Sequence, residues 1–179
     1  MKLSFLAILS FATAIPALAA ESVYSSIKDT DCVIYDSSEL HEEPEIDFLT
    51  AECPAFGGYR VMISGGDIRY NLGLSYNGTK INTLQPEGFH NTGSNVIEWR
   101  FNRVQRLGYF EAKYTALIYR LSVSEYNETA NENQDVTKLV VVRLSGEQSC
   151  IIGVFTNESN DNNLARKIAD NPDAKCIED

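Results

Sequence analysis

The chain contains two histidines, His41 and His90, and both lie in polar segments away from the ends of predicted strands. A serine or cysteine nucleophile needs a histidine base beside it, so these positions do not favour nucleophilic catalysis. His41 lies in the acidic segment ELHEEPEID, whose carboxylates and imidazole are ligand types for a divalent cation. Because most such runs are solvated loops, we predict an acidic partner-binding loop, with no metal and no cofactor. Its candidate residues are Glu39, His41, Glu42 and Glu43.

Two glutamates on or beside predicted strands, Glu98 and Glu111, are candidates for carboxylate catalysis of the glycosidase type. That chemistry requires two acids in one cleft, and nothing in the spacing of these two predicts that they converge. Solvent-facing charge is the simpler interpretation of both. A cell-envelope hydrolase is therefore the alternative function.

Arginines recur on the predicted strands. By strand alternation Arg100 lies opposite Trp99, so several arginines could gather on one sheet surface. A guanidinium binds carboxylates and phosphates in bidentate geometry, so this surface would bind a small anionic ligand or a peptide carboxylate. Pairing with acids such as Glu98 is the alternative. The candidate residues are Arg69, Arg100, Arg120 and Arg143.

Aromatic residues on the same strands could stack on a sugar. Most of them lie on inward faces of the predicted strands, so core packing is the expected role. They include Tyr70, Tyr76, Trp99, Phe101, Tyr114 and Tyr119.

Four cysteines, Cys32, Cys53, Cys150 and Cys176, are an even number in a chain that we expect to be exported, which predicts two disulfides. Three pairings are possible. Pairing near neighbours, Cys32 with Cys53 and Cys150 with Cys176, is favoured because each bond closes a short loop. Neither redox catalysis nor zinc binding fits, since no two cysteines have Cys-x-x-Cys spacing.

The first residues predict export. Lys2 precedes the apolar run LSFLAILSFATAI, and Ala17-Leu18-Ala19 is a small-x-small cleavage signal. We therefore expect a signal peptide over residues 1–19, a single globular domain over 20–179, and a soluble periplasmic or secreted protein. No later apolar run reaches the roughly 20 residues of a membrane helix, so no membrane anchor is predicted.

The mature chain is acidic. Loss of Lys2 leaves 14 of the 15 basic residues against 25 acidic ones, a net charge of −11. Nucleic-acid binding requires a basic surface, so we exclude it. A hydrophobic content of 44% is that of a globular domain.

Alternating apolar residues predict strands over 46–53, 59–64, 68–76, 96–101, 113–123, 137–144 and 149–155. Gly65, Gly66 and Asp67 are expected to form the turn of a tight hairpin. The segment NLARKIAD predicts a helix capped by Asn160 or Asn162, and a second short helix is expected in ESVYSSIKDTDC. The predicted fold class is α+β: a bent antiparallel meander of about six to seven strands with the C-terminal helix on one face.

The segments ECPAFGGYRVMISGGDIRY, EWRF, SCIIGV and LARKIAD together resemble a group of exported alphaproteobacterial proteins of unknown function. The resemblance implies a Gram-negative periplasmic setting and two disulfides, and it transfers no catalytic residue.

We therefore predict a non-catalytic binding or interaction module of the periplasm, with an unknown protein or a small anionic ligand as partner. Its acidic residues would steer it toward a basic protein, and a lysozyme-inhibitor-like role is one specific version.

Overall fold

Alternation of apolar and polar residues produces a β-rich chain. The computed structural model describes residues 20–37, 40, 48–66, 69–83, 89–90, 94–156 and 162–177. Within these ranges there are eleven strands, one 3-10 turn (Asp29–Asp31) and one helix, α1 (Asn162–Ala169). The strands are β1 (Glu21–Ser26), β2 (Val33–Ser37), β3 (Phe48–Cys53), β4 (Tyr59–Gly66), β5 (Arg69–Tyr76), β6 (Thr79–Ile81), β7 (Phe89–His90), β8 (Val96–Arg106), β9 (Tyr109–Asn127), β10 (Glu132–Arg143) and β11 (Cys150–Thr156).

The strands form two antiparallel groups of five. The long sheet has the order β1-β8-β9-β10-β11, and the short sheet has the order β2-β3-β4-β5-β6. Strand β7 pairs with both β5 and β9 and joins the two sheets into one hydrogen-bonded network. The predicted α+β class is confirmed, but the structure has more strands than the predicted meander of about six to seven.

The main core lies between the two sheets. Val61, Ile63, Leu72 and Leu74 of the short sheet pack in one buried cluster with residues of the long sheet, among them Trp99, which is fully buried. The Trp99 Nε1 donates a hydrogen bond of 2.8 Å to the Ser25 hydroxyl, so its one polar group is satisfied. Truncating a side chain like this one to alanine costs about 3–5 kcal/mol.

A second core lies on the other face of the long sheet. There α1 packs through Ala165 and Ala169 on a cluster that includes Ile118, Leu139 and Val141. Small residues on the buried side of the helix let it approach the sheet closely. The predicted C-terminal helix is confirmed, with Asn162 as its first residue; Asn160 lies outside the described residues.

Both predicted disulfides are present, and no cysteine is free. Cys32–Cys53 joins the start of β2 to the end of β3. Cys150–Cys176, called the tail disulfide below, joins β11 to the segment after α1, and the Ile177 amide donates to the Ile151 carbonyl at 2.8 Å beside it. For loops of 21 and 26 residues, the entropy model gives about 3 kcal/mol of stabilisation each.

Two local predictions are wrong. The segment expected to form a short N-terminal helix is β1, because its backbone pairs with β8 from Glu21 to Ser26 and Val23 packs against the main core. Gly65 and Gly66 are not turn residues but lie within β4, and Asp67 lies outside the described residues. A Cβ at Gly65 would lie 2.0 Å from the Arg69 carbonyl oxygen, so close approach of the neighbouring strand requires glycine there.

Within the described ranges, no helix has the length and apolar character to cross a membrane.

Candidate functional site

Three of the four candidate arginines lie on one face of the long sheet. Arg100, Arg120 and Arg143 alternate with core residues on β8, β9 and β10, and this arginine face is the one that α1 covers. Arg69 is an exposed residue of β5 in the short sheet, and its backbone pairs with β7. The structure thus groups three candidates and separates the fourth.

The arginine face binds the C-terminal segment of its own chain. Arg100 donates to both Asp170 carboxylate oxygens, at 2.9 and 2.5 Å. Arg120 donates to the Asn162 side-chain oxygen at 3.3 Å, and Arg143 donates to the Ala174 carbonyl at 2.6 Å. Each of the three therefore already has an acceptor within the chain, and binding of an external anion by these residues stays a prediction.

Glu98 forms the centre of a buried polar network beside this face. Its carboxylate accepts two hydrogen bonds from Arg166, at 2.7 and 3.0 Å, and one from the Ser22 hydroxyl at 2.5 Å. Ser22 in turn accepts from Arg100 at 2.5 Å. Burial raises the pKa of Glu98, but these hydrogen bonds and the charges of Arg166 and Arg100 outweigh it, so the pKa lies below its ordinary value. Glu98 is therefore held ionised and has no proton to donate as an acid catalyst.

Glu98 and Glu111 do not converge. Glu111 pairs with Val104 in the β8–β9 ladder, six residues along β8 from Glu98, which is about 20 Å at the rise of a strand. Paired glycosidase carboxylates lie about 5–10 Å apart. Glu111 is half exposed and pairs with Arg106 at 3.4 Å.

The acidic loop is not described. Glu39, His41, Glu42 and Glu43 lie outside the described residues, so its role as a partner-binding loop stays a prediction. The backbone of His90 pairs with Arg69 and Ser122 in β7. In the part of the chain that the structure describes, no three His, Cys, Asp or Glu side chains are grouped to hold a metal.

A cleft opens at one end of the two sheets, where the β3–β4 and β10–β11 connections meet the last residue of β5 and the β8–β9 hairpin. Its volume is about 620 Å³, within the range of small-molecule sites. Because three tyrosines line it, we call it the tyrosine cleft. Its described lining consists of Gly57, Tyr59, Tyr76, Val104, Arg106, Glu111, Ala112, Lys113, Tyr114, Leu144, Ser145 and Gly146.

Glycines let the tyrosine rings approach the backbone. Gly57 has a φ of 68°, and a Cβ there would lie 2.9 Å from the Tyr114 ring. Gly146 has a φ of 61°, and a Cβ there would lie 3.3 Å from the ring of Tyr76. The Gly146 amide donates to the Tyr59 hydroxyl at 2.8 Å, which connects the two sheets across the cleft. Side chains larger than glycine would displace the rings, so these residue types set the shape of the cleft.

The tyrosine rings are also held by their aromatic neighbours. Tyr114 stacks on Phe56 with ring centroids 5.5 Å apart and meets the edge of Trp99 at 6.2 Å. Tyr59 and Tyr76 lie with centroids 4.8 Å apart. These contacts fix the ring orientations before any ligand binds, which lowers the entropic cost of binding.

Besides tyrosine, the ionisable side chains in the described lining of the cleft are Arg106, Lys113 and Glu111. Its described lining has no histidine and no cysteine, and its carboxylate, Glu111, is ion-paired and half exposed. Ser145 has no adjacent base among these residues. Lys113 forms no ion pair with a described carboxylate, so its ammonium group is available to a ligand.

The tyrosine cleft was not predicted from the sequence. Alternation assigned Tyr76 and Tyr114 to the core, and both do contact it, yet each also exposes part of its ring to the cleft. The adjacent glycines Gly57 and Gly58 are the sequence-visible signal of the cleft. Glycine permits the positive φ that both residues adopt and lets another group approach the backbone closely.

No protein-family model matches the chain, and it matches neither a curated protein nor a solved structure. The resemblance to exported alphaproteobacterial proteins therefore stays a prediction, and the function is inferred from the geometry alone.

Proposed function

We propose that this protein is an exported, non-catalytic binding module and that the tyrosine cleft binds a glycan. The single observation that carries the proposal is the cleft itself, with ring orientations fixed by glycine and aromatic contacts. Two disulfides support an oxidising compartment such as the periplasm or the cell exterior.

The chemistry of the lining favours a sugar. A sugar ring presents C–H faces that pack on aromatic rings, and its hydroxyls accept and donate hydrogen bonds at its edge. The half-buried rings of Tyr76 and Tyr114 can pack on the C–H faces of the sugar. For hydrogen bonds with the sugar hydroxyls at the rim, Arg106 and Lys113 supply donors and Glu111 supplies an acceptor.

The test is calorimetric titration with chitotetraose, a soluble oligomer of N-acetylglucosamine. We expect binding with a Kd below about 1 mM, and a Kd at least about fivefold weaker for Tyr76→Ala, since a stacked aromatic ring contributes about 1 kcal/mol or more. Tyr126→Ala is the matched control, because Tyr126 is an exposed tyrosine at the far end of β9. Binding that is equal in all three proteins, or undetectable at saturating sugar, would refute a glycan in this cleft.

Product analysis of the same mixtures separates binding from hydrolysis. An intact oligomer after prolonged incubation agrees with a binding module. Cleavage that disappears in Glu111→Gln would instead favour the carboxylate hydrolase. Inhibition of added lysozyme that persists in Tyr76→Ala would assign the lysozyme-inhibitor-like role to another surface, such as the acidic loop.

A further inference from the structure

The β8–β9 hairpin ends in a turn whose sequence does not suit its geometry. Leu107 and Gly108, with φ of 45° and 90°, form a two-residue connection between Arg106 and Tyr109. Asn-Gly is the residue pair that this turn prefers, because both positions have positive φ. The β5–β6 hairpin of the same chain uses that pair, Asn77 and Gly78, at φ of 49° and 83°.

Nothing in the described fold compensates for the leucine. Its φ lies in the left-handed region that disfavours side chains with a Cβ, and its side chain is 99% exposed. A residue that breaks a local rule without a structural gain is expected at a functional position. Leu107 is therefore expected to contact a group outside the described fold.

Two exposed aromatic residues follow the turn directly. Tyr109 and Phe110 are 57% and 61% exposed, and consecutive strand residues point to opposite faces of the hairpin. Together with Leu107 they form the apolar tip, which presents apolar groups at its end and on both sides. A flat protein surface would cover only one of these sides, whereas a fluid apolar phase would surround all of them.

The hairpin is basic although the chain is acidic. Residues 102–113 contain Arg103, Arg106 and Lys113 against Glu111, while the whole chain has a net charge of −10. Arg103 pairs with Glu21 of β1 and Arg106 pairs with Glu111, whereas Lys113 forms no ion pair with a described carboxylate. Charges beyond about 8 Å are screened at physiological salt, so the surface that approaches the tip meets this local excess of cations.

We propose that the apolar tip inserts into an anionic lipid bilayer at its interface. Leu107, at the end of the hairpin, would lie at the boundary of headgroups and acyl chains, and the rings of Tyr109 and Phe110 would lie at headgroup depth on its two sides. Arg106 and Lys113 would contact the anionic headgroups. This is a peripheral and reversible contact, and it does not depend on a ligand in the tyrosine cleft.

The test uses the mature chain, residues 20–179, and vesicles of phosphatidylcholine with or without phosphatidylglycerol. Co-sedimentation is expected with the anionic vesicles, and added salt should weaken it. Leu107→Asn should reduce the partition coefficient at least about tenfold, since burial of a leucine side chain is lost. The same variant should keep or raise the melting temperature, because asparagine suits the turn.

A matched control and two outcomes make the test decisive. Val33→Asn changes another exposed apolar residue, 66% exposed on β2, and should leave the partition unchanged. Absence of sedimentation with both vesicle types would overturn the proposal. So would a concentration-dependent dimer that Leu107→Asn abolishes, because the tip would then bind a second copy of the chain.

Discussion

Replacing Arg166 by alanine removes the main partner of the buried Glu98 carboxylate. Both Glu98 oxygens accept from Arg166, and the carboxylate is 7% exposed. After the substitution Glu98 retains the Ser22 hydroxyl and the more distant Arg100, at 3.7 Å. The ionised Glu98 carboxylate therefore stays buried with one hydrogen bond and one distant cation.

The magnitude follows from this geometry. Removing one partner of a buried ion pair costs about 3–5 kcal/mol, because the other charge stays desolvated. A third of the Arg166 side chain is exposed and Arg100 remains nearby, which places the loss near the lower end of that range. We expect Arg166→Ala to lower the free energy of unfolding by about 3 kcal/mol at pH 7.

Urea denaturation of the variant and of a matched control measures this loss. Arg103→Ala is the control, because Arg103 makes an equally short pair with Glu21, at 2.6 Å, but both side chains are about half exposed. Exposed pairs contribute little, so its effect should be several-fold smaller. Equal losses in the two variants would refute the argument that burial determines the strength of the network.

The pH dependence gives an independent check on Glu98. Its folded pKa is below the unfolded value of about 4.3, so its stabilisation is complete above that pH and is lost as pH falls through the folded pKa. Arg166→Ala removes the two hydrogen bonds that Glu98 accepts from Arg166, while burial still raises the Glu98 pKa. The Glu98 pKa should therefore be higher in the variant. The stability difference between the two proteins should therefore shrink as the pH falls from the raised Glu98 pKa of the variant to the lowered Glu98 pKa of the unsubstituted protein. A constant difference from pH 7 to pH 3 would contradict this account.

Three further predictions concern other parts of the fold. Hydrogen bonds from Arg60 lower the pKa of Glu52 to about 2, so an NMR titration of Arg60→Ala should show this pKa rising toward its ordinary value. Cys176→Ser opens the tail disulfide and should cost about 3 kcal/mol, with faster amide exchange in α1 than in the short sheet. Gly57→Ala places a Cβ against Tyr114 at a positive φ, and should cost about 1–2 kcal/mol and weaken chitotetraose binding.

Local signals predicted much of the fold. Residues that alternate between a core face and an exposed face, such as Leu72 and Leu74 on β5, identified β3, β4 and β5 of the short sheet and β8 to β11 of the long sheet. Short spacing between cysteines identified the two disulfides, and capping residues with an apolar stripe identified α1.

The features that the sequence did not predict depend on pairing between distant parts of the chain. The sequence of β1 has no clear period, and its strand conformation comes from the β8 edge, 75 residues away. Strands β6 and β7 are too short for any periodicity to appear. The division into two sheets depends on which strands β9 pairs with along its length, a property of the whole chain.

The candidate site shows the same limit. Strand alternation indicated that arginines share a surface, but it gave no sign that the C-terminal segment would occupy them. The aromatic residues of the tyrosine cleft have the spacing of core residues, and they become a cleft only where the two sheets separate at one end. Charge and spacing therefore identified residue types, while their accessibility depended on the tertiary arrangement.

Arg100 joins two distant parts of the chain, since it donates to the Ala20 carbonyl at 3.0 Å as well as to Asp170. A polypeptide synthesised amino end first would lack Asp170 until the 70 residues after Arg100 had followed. Until then Ile118 and Leu139 would lack the cover of α1 and Arg100 would lack its Asp170 partner, which makes incomplete products good substrates for proteases. Resistance to digestion would thus be acquired in one late step, when α1 packs on the long sheet, rather than gradually during synthesis.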